Sequence, residues 1–152
     1  MDENKIIKAT NSLIKAQNDL QIARETLQSS KDELKNYNCK MYIYQNELEL
    51  LMRLLDLKKY GVVNQDNIDE IIENDRFENL DEEFKDMASN IFTIDGELNS
   101  AITYYKNKLK LVKNIINDIK NKKNLAKTNV SIAKFNFEKE QTNMIITMAK
   151  EQ

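Results

Sequence analysis

Apolar residues recur at every seventh position along the first third of the chain: Ile6, Leu13, Leu20, Leu27, Leu34, Met41, Leu48 and Leu55. Assigned to heptad position a, they bring Ala9, Ala16, Ala23, Ser30, Tyr37, Tyr44 and Leu51 to d, so the seam predicts a coiled-coil helix over residues 4–60. A second series, Phe77, Phe84, Ile91, Leu98, Tyr105, Val112, Ile119, Ala126 and Ala133, also steps by seven and takes d. Its a companions are Ile102, Leu109, Ile116, Lys123, Val130, Phe137 and Met144. A returning helix over 79–150 follows, with a bend expected at Asp95-Gly96 because an interior Gly costs about 1 kcal/mol relative to Ala. Between the two long helices, Gly61 suits a left-handed C-cap, and Asp66 is placed to N-cap a short helix over 66–76 carrying Ile68, Ile71 and Ile72.

The two seams fit each other in one register. In an antiparallel pair a faces d, so facing residue numbers share a constant sum, and a sum of 153 sets Leu27 on Ala126, Ala23 on Val130, Leu20 on Ala133 and Ala16 on Phe137. Large meets small in each layer, as dense packing demands. The same register places Ser30 opposite Lys123, so both polar interruptions share a layer, and sets Glu33 beside Lys122 and Glu47 beside Lys108 at g. The midpoint falls at 76–79, the expected hairpin tip. The fold class expected is therefore all-α: a long antiparallel coiled-coil helical hairpin, one domain over 1–152, with a short third helix near the tip. The alternative, an extended coil in which both seams face other chains, leaves their complementarity as coincidence.

Composition supports the helices and removes most chemistry. The chain of 152 residues has no Pro and 2 Gly, far too few turn formers for a sheet architecture. It has no His, no Trp and one Cys, Cys39, at an outward f position, which excludes His-based triads, His zinc sites and disulfide frameworks. No Gly-rich phosphate loop, metal-ligand spacing or nucleophile–base pair occurs. The expectation is a non-enzymatic chain with no cofactor, no catalytic residue and no metal. No run approaches the ~18 apolar residues of a membrane span, and the first residues show no secretory pattern, so the cytoplasm is the expected location.

Charge is segregated although the net is only −2. Residues 1–58 carry 9 basic and 9 acidic groups, residues 59–97 carry 3 and 12, and residues 98–152 carry 11 and 4. In the last stretch Lys106, Lys113, Lys120, Lys127 and Lys134 repeat at e, and the facing e residues Gln45, Asn38, Lys31, Arg24 and Gln17 include no acid. This lysine ridge is a candidate surface for an anionic partner, or a solvated face. Nucleic acid ranks low as that partner, because interleaved aromatics, arginine forks and any known binding module are absent. The acidic tip, with Glu73, Asp75, Glu78, Asp81, Glu82 and Glu83, reads as a solvated helix surface or as a contact for a basic protein partner. It lacks the Gly and ligand alternation of a calcium loop.

Apolar residues outside the seam complete the pattern. Ile43, Leu50, Leu54 and Leu57 on the first helix, and Tyr104, Leu111, Leu125 and Ile132 on the last, exceed what a two-helix contact can cover. They form a candidate oligomer interface, with two hairpins joining into a four-helix bundle as the favoured dimer. Ile7, Ile14, Ile145 and Ile146 add to this surplus. The competing expectation is that the short helix folds back over Leu50, Leu54 and Leu57. A structural or adaptor protein is the leading functional expectation; a charge-based binder presenting the acidic tip comes second.

Overall fold

A computed structural model of the protein describes residues 2–74 and 80–151. Four helices follow in order, α1 (Asp2–Lys59), α2 (Ile68–Asn74), α3 (Glu82–Phe92) and α4 (Glu97–Lys150), and no strand occurs among the described residues. The protein is all-α, and α1 and α4 pack against each other as the two long arms of a helical hairpin. They do so within two compact units, unit 1 (Met1–Lys35 with Asn117–Gln152) and unit 2 (Asn36–Ile116).

Unit 1 is a two-helix coiled coil built on small residues. Ala9, Ala16, Leu20 and Ser30 of α1 and Ile119, Ala126 and Ala133 of α4 are its buried positions, all of them a or d of the heptads. Alanine at d lets the two backbones approach closely. Ser30, the buried polar residue of this seam, donates its hydroxyl to the Thr26 carbonyl at 3.1 Å, which satisfies it inside its own helix. Lys123, expected in the same layer, is half-buried. Near the termini Thr10 lies 3.9 Å from the Met144 sulfur, as the register requires.

Unit 2 holds a larger core. The last turns of α1 give Leu50, Leu51 and Leu54, and the first half of α4 gives Leu98, Ile102 and Tyr105. Onto these pack Val63 from the connection, Ile68 and Ile72 of α2, Leu80, and Phe84, Ala88 and Phe92 of α3. Here residues of all four helices share one core, so Leu54 at g and Leu50 at c are buried with the seam residues. The expected single returning helix over 79–150 is in fact two. α3 ends at Phe92, and Gly96, with φ of 79°, lets the chain turn before α4 starts at Glu97. The separate α3 is what gives unit 2 its third layer.

Local chemistry fixes the joints. Gly61, with φ of 71°, ends α1 as expected: the Val62 amide bonds the Leu57 carbonyl at 3.0 Å and the Gly61 amide bonds Lys58 at 3.1 Å, the paired bonds of a Schellman motif. α2 starts differently from expectation. Asn64, not Asp66, organises the turn, its side-chain oxygen accepting from the amides of Asp66 (2.9 Å) and Asn67 (3.1 Å), while Asn67 returns a side-chain acceptor to the Asn64 amide at 2.7 Å. The expected helix end at residue 76 and the tip at 76–79, including Phe77, lie outside the described residues. α3 is N-capped by Asp81, which accepts from the Phe84 amide at 2.7 Å. At its other end the Lys58 ammonium donates to the Phe92 carbonyl at 2.7 Å, placing a cation at the negative end of the helix dipole. Among the described residues no helix is long and apolar enough to cross a membrane.

Candidate functional site

The two sides of the α1–α4 seam differ in chemistry, and the difference follows from heptad position. Around a helix the order is a, e, b, f, c, g, d, so e and b lie on one side of the seam and g and c on the other.

On the e side of unit 1, Lys120, Lys127 and Lys134 of α4 and Arg24 and Lys31 of α1 are all exposed. In unit 2, Lys106 and Lys113 are exposed as well. The lysine ridge is therefore solvent-facing at every position in both units. The residues beside it are uncharged in the main: Gln21, Gln28, Asn117, Asn124 and Ser131 occupy b.

The g and c side of unit 1 carries a groove. Its floor is the small seam residues Ala16, Ala23 and Ala133, and its walls include Lys15, Ile132 and Lys139. The groove exists because alanine at d leaves the space that a larger side chain would fill. Along the same side stand Ile22 (61% exposed), Leu125 (63%) and Ile132 (54%). In unit 2 that side carries Ile43 (44%), Tyr104 (60%) and Leu111 (60%). Five of the eight expected interface residues thus lie open.

The other three do not. Leu50 and Leu54 are completely buried within the chain and Leu57 is half-buried against the same core. The expectation that they form an oligomer interface is corrected: α2 and α3 fold over them, and the third layer supplies the interior that two helices lack. Ile22 joins the open stripe and was not expected; its c position, three heptads before Ile43, is the signal that identifies it.

The acidic residues have distinct fates. Asp81 caps α3 and is spoken for. Glu73, Glu82 and Glu83 are exposed, and Lys85 approaches both Glu73 (3.7 Å) and Glu82 (3.6 Å). Ser89 donates to Asp69 across α2 and α3, closing a shallow polar groove lined by Glu73, Lys85 and Asp86. Asp75 and Glu78 lie outside the described residues. Among the described residues no group of three His, Cys, Asp or Glu side chains is placed to hold a metal ion.

The expected ion pairs at g are replaced. Neither Glu33 with Lys122 nor Glu47 with Lys108 comes within 4.0 Å among the described residues. Glu33 and Lys122 are exposed, where an ion pair gains little over hydration. Glu47 instead accepts the Tyr105 hydroxyl at 2.5 Å, and the Lys108 ammonium lies 4.2 Å from the centre of the Tyr44 ring. Tyr44, Phe84 and Tyr104 all meet Tyr105 edge-on, with ring centres 5.6–6.5 Å apart. Burial raises the Glu47 carboxyl above the usual range; the Tyr105 bond opposes that, the Asp81 charge adds to it and the Lys108 charge opposes it. The Tyr105 hydroxyl is also pushed up, first by burial and then by its bond to Glu47 and the Glu47 charge. This cluster ties α1, α3 and α4 together and presents no nucleophile to solvent.

Compared with known protein families, characterised proteins and solved structures, the chain matches none.

Proposed function

We propose that the chain is a non-enzymatic coiled-coil interaction protein, a scaffold or adaptor of the cytoplasm, that self-associates through the apolar stripe outside its seam. The observation that carries the reading is the exposure of Ile43, Tyr104, Leu111, Leu125 and Ile132, all on the g and c side. A two-helix contact covers a and d only, whereas three or more helices bury the wider stripe. Large apolar side chains left exposed in each unit support an interaction surface there. The lone Cys39, exposed and without a second cysteine to pair with, suits a reducing compartment.

Sedimentation equilibrium tests the reading. The native chain should be a dimer or larger, and Leu111→Glu with Ile132→Glu should become monomeric at unchanged helicity. A clean monomer at high concentration for the native chain refutes self-association.

A second reading rests on α2 and α3, which carry Asp69, Glu70, Glu73, Glu82, Glu83 and Asp86 against one lysine. In it the acidic pair docks on a basic protein surface. Glu82→Lys with Glu83→Lys should then lose a partner captured by the native chain, and equal capture rejects it.

A further inference from the structure

We infer that the apolar stripe is covered by a second copy in antiparallel orientation, unit 1 of each copy lying on unit 2 of its partner about a two-fold axis. The inference rests on the proposed self-association and adds its orientation.

Each unit exposes large apolar side chains at heptad position c, Ile22, Leu125 and Ile132 in unit 1 and Ile43, Tyr104 and Leu111 in unit 2. Apolar contact alone does not choose between like and unlike pairing. Charge does. Unit 1 contains 13 basic and 10 acidic residues, a net of +3, whereas unit 2 contains 10 and 15, a net of −5. Like-on-like pairing sets two cationic units together and two anionic units together; unlike pairing makes both contacts attractive. A two-fold axis allows this twice in one closed dimer, since residue i meets j and j meets i.

The packing of unit 2 gives the same preference. α2 and α3 cover Leu50, Leu54 and Leu57, which lie at c and g, so they occupy the very side of the seam that Ile43 leaves open. A partner seated on Ile43, Tyr104 and Leu111 adjoins these two helices, whose sole lysine, Lys85, already serves Glu73 and Glu82. Against that neighbour a second unit 2, with its own acidic α2 and α3, is repelled. The groove of unit 1 balances Lys15 and Lys139 with Asp19 and Glu140, but over all g and c positions of unit 1 six lysines stand against three acids, so that side is cationic. The attraction between exposed charges weakens as salt shortens the Debye length.

Energy transfer between copies of the full chain tests the orientation. In a Cys39→Ser background, Asn18→Cys reports on unit 1 and Ser100→Cys on unit 2; both positions are exposed. Donor-labelled N18C mixed with acceptor-labelled S100C should transfer several-fold more efficiently than donor N18C mixed with acceptor N18C, and the advantage should shrink in high salt. Equal transfer, or stronger transfer for the like pair, in a sample that light scattering shows to be dimeric overturns the orientation and leaves self-association standing. A monomer by scattering, with no transfer in either mixture, overturns both.

Discussion

Replacing Leu54 by Ala separates core from interface most sharply, because its heptad position marks it as outward while the fold buries it. Leu54 has 0% exposure and sits in the core that α1, α2, α3 and α4 share in unit 2. The substitution removes three carbons from that core, about 2.4 kcal/mol at ~0.8 kcal/mol per buried methylene. The surrounding side chains come from four elements and cannot all collapse into the gap, so a cavity cost is added, for a total of about 3–4 kcal/mol. Urea unfolding followed by far-ultraviolet circular dichroism measures the loss, at two protein concentrations tenfold apart. The loss should be the same at both, because the side chain contacts only its own chain. Leu111→Ala, at an exposed position of the proposed interface, gives the contrast: its effect should grow or shrink with concentration. A Leu54→Ala loss below about 1 kcal/mol, less than the transfer of its carbons alone, or one that vanishes on dilution, would refute the assignment of Leu54 to the intrachain core.

The Glu47–Tyr105 pair gives a pH dependence of known sign. Because folding raises the Tyr105 hydroxyl, its contribution is complete below the ordinary tyrosine value near 10 and is lost as pH climbs past it, at up to about 1.4 kcal/mol per pH unit for one proton. Tyr105→Phe should flatten that alkaline loss in denaturant titrations, while costing about 1–2 kcal/mol at neutral pH for the missing bond. Glu47 is raised too, so its stabilising effect is present at acid pH and fades as pH rises through its folded value. Glu47→Gln should therefore gain most over the native chain at neutral pH and lose that gain toward pH 4. Gly61→Ala finds open space for its Cβ but must hold φ of 71°, so a melting experiment should show a loss of about 1–2 kcal/mol with unchanged helix content. Asp81→Ala removes the cap of α3 and should cost about 1 kcal/mol, with hydrogen exchange accelerated in α3 before the rest of unit 2.

What the sequence made legible follows from periodicity. The heptads place every buried residue of α4 from Leu98 to Ala133 on a or d, because a seam repeats the same demand at each turn and the pattern accumulates over many residues. Gly61 was legible for a similar reason: the left-handed cap it supplies suits few other residues. The interruption at Thr93–Gly96 was foreseen only as a bend, since Phe84 and Ile91 keep the step of seven that continues at Leu98. Periodicity is blind to a break that preserves phase. Leu50, Leu54 and Leu57 read first as interface and only in the alternative as covered by the short helix, because helix position records which side a residue faces and not what lies there; the alternative holds, with α3 added to α2. The exchange of Asp66 for Asn64, and of the Glu47–Lys108 ion pair for a tyrosine bond, turned on ångström-scale geometry that residue type does not encode.

The two units solve the same problem of surplus apolar surface in opposite ways. Unit 2 answers it within the chain: α2 and α3 make a third layer, and side chains at c and g become as buried as those at a and d. Unit 1 has no such layer, and its seam sets large residues such as Leu20 and Ile119 among Ala9, Ala16, Ala126 and Ala133, which bring two backbones close but remove little apolar area from water. Each alanine offers a fraction of the burial that a leucine or isoleucine would supply. Three further large apolar side chains of unit 1, Ile22, Leu125 and Ile132, stand outside the seam, exposed to water. A coiled coil whose seam is rich in alanine and which carries large apolar side chains outside it gains more from an added layer than one with large residues throughout its seam. If the proposed association occurs, unit 1 is where it should add most stability, and Ala16→Leu, which fills the groove over Ala16, Ala23 and Ala133, should weaken the dimer in sedimentation equilibrium; an unchanged dimer rejects the groove as part of the contact.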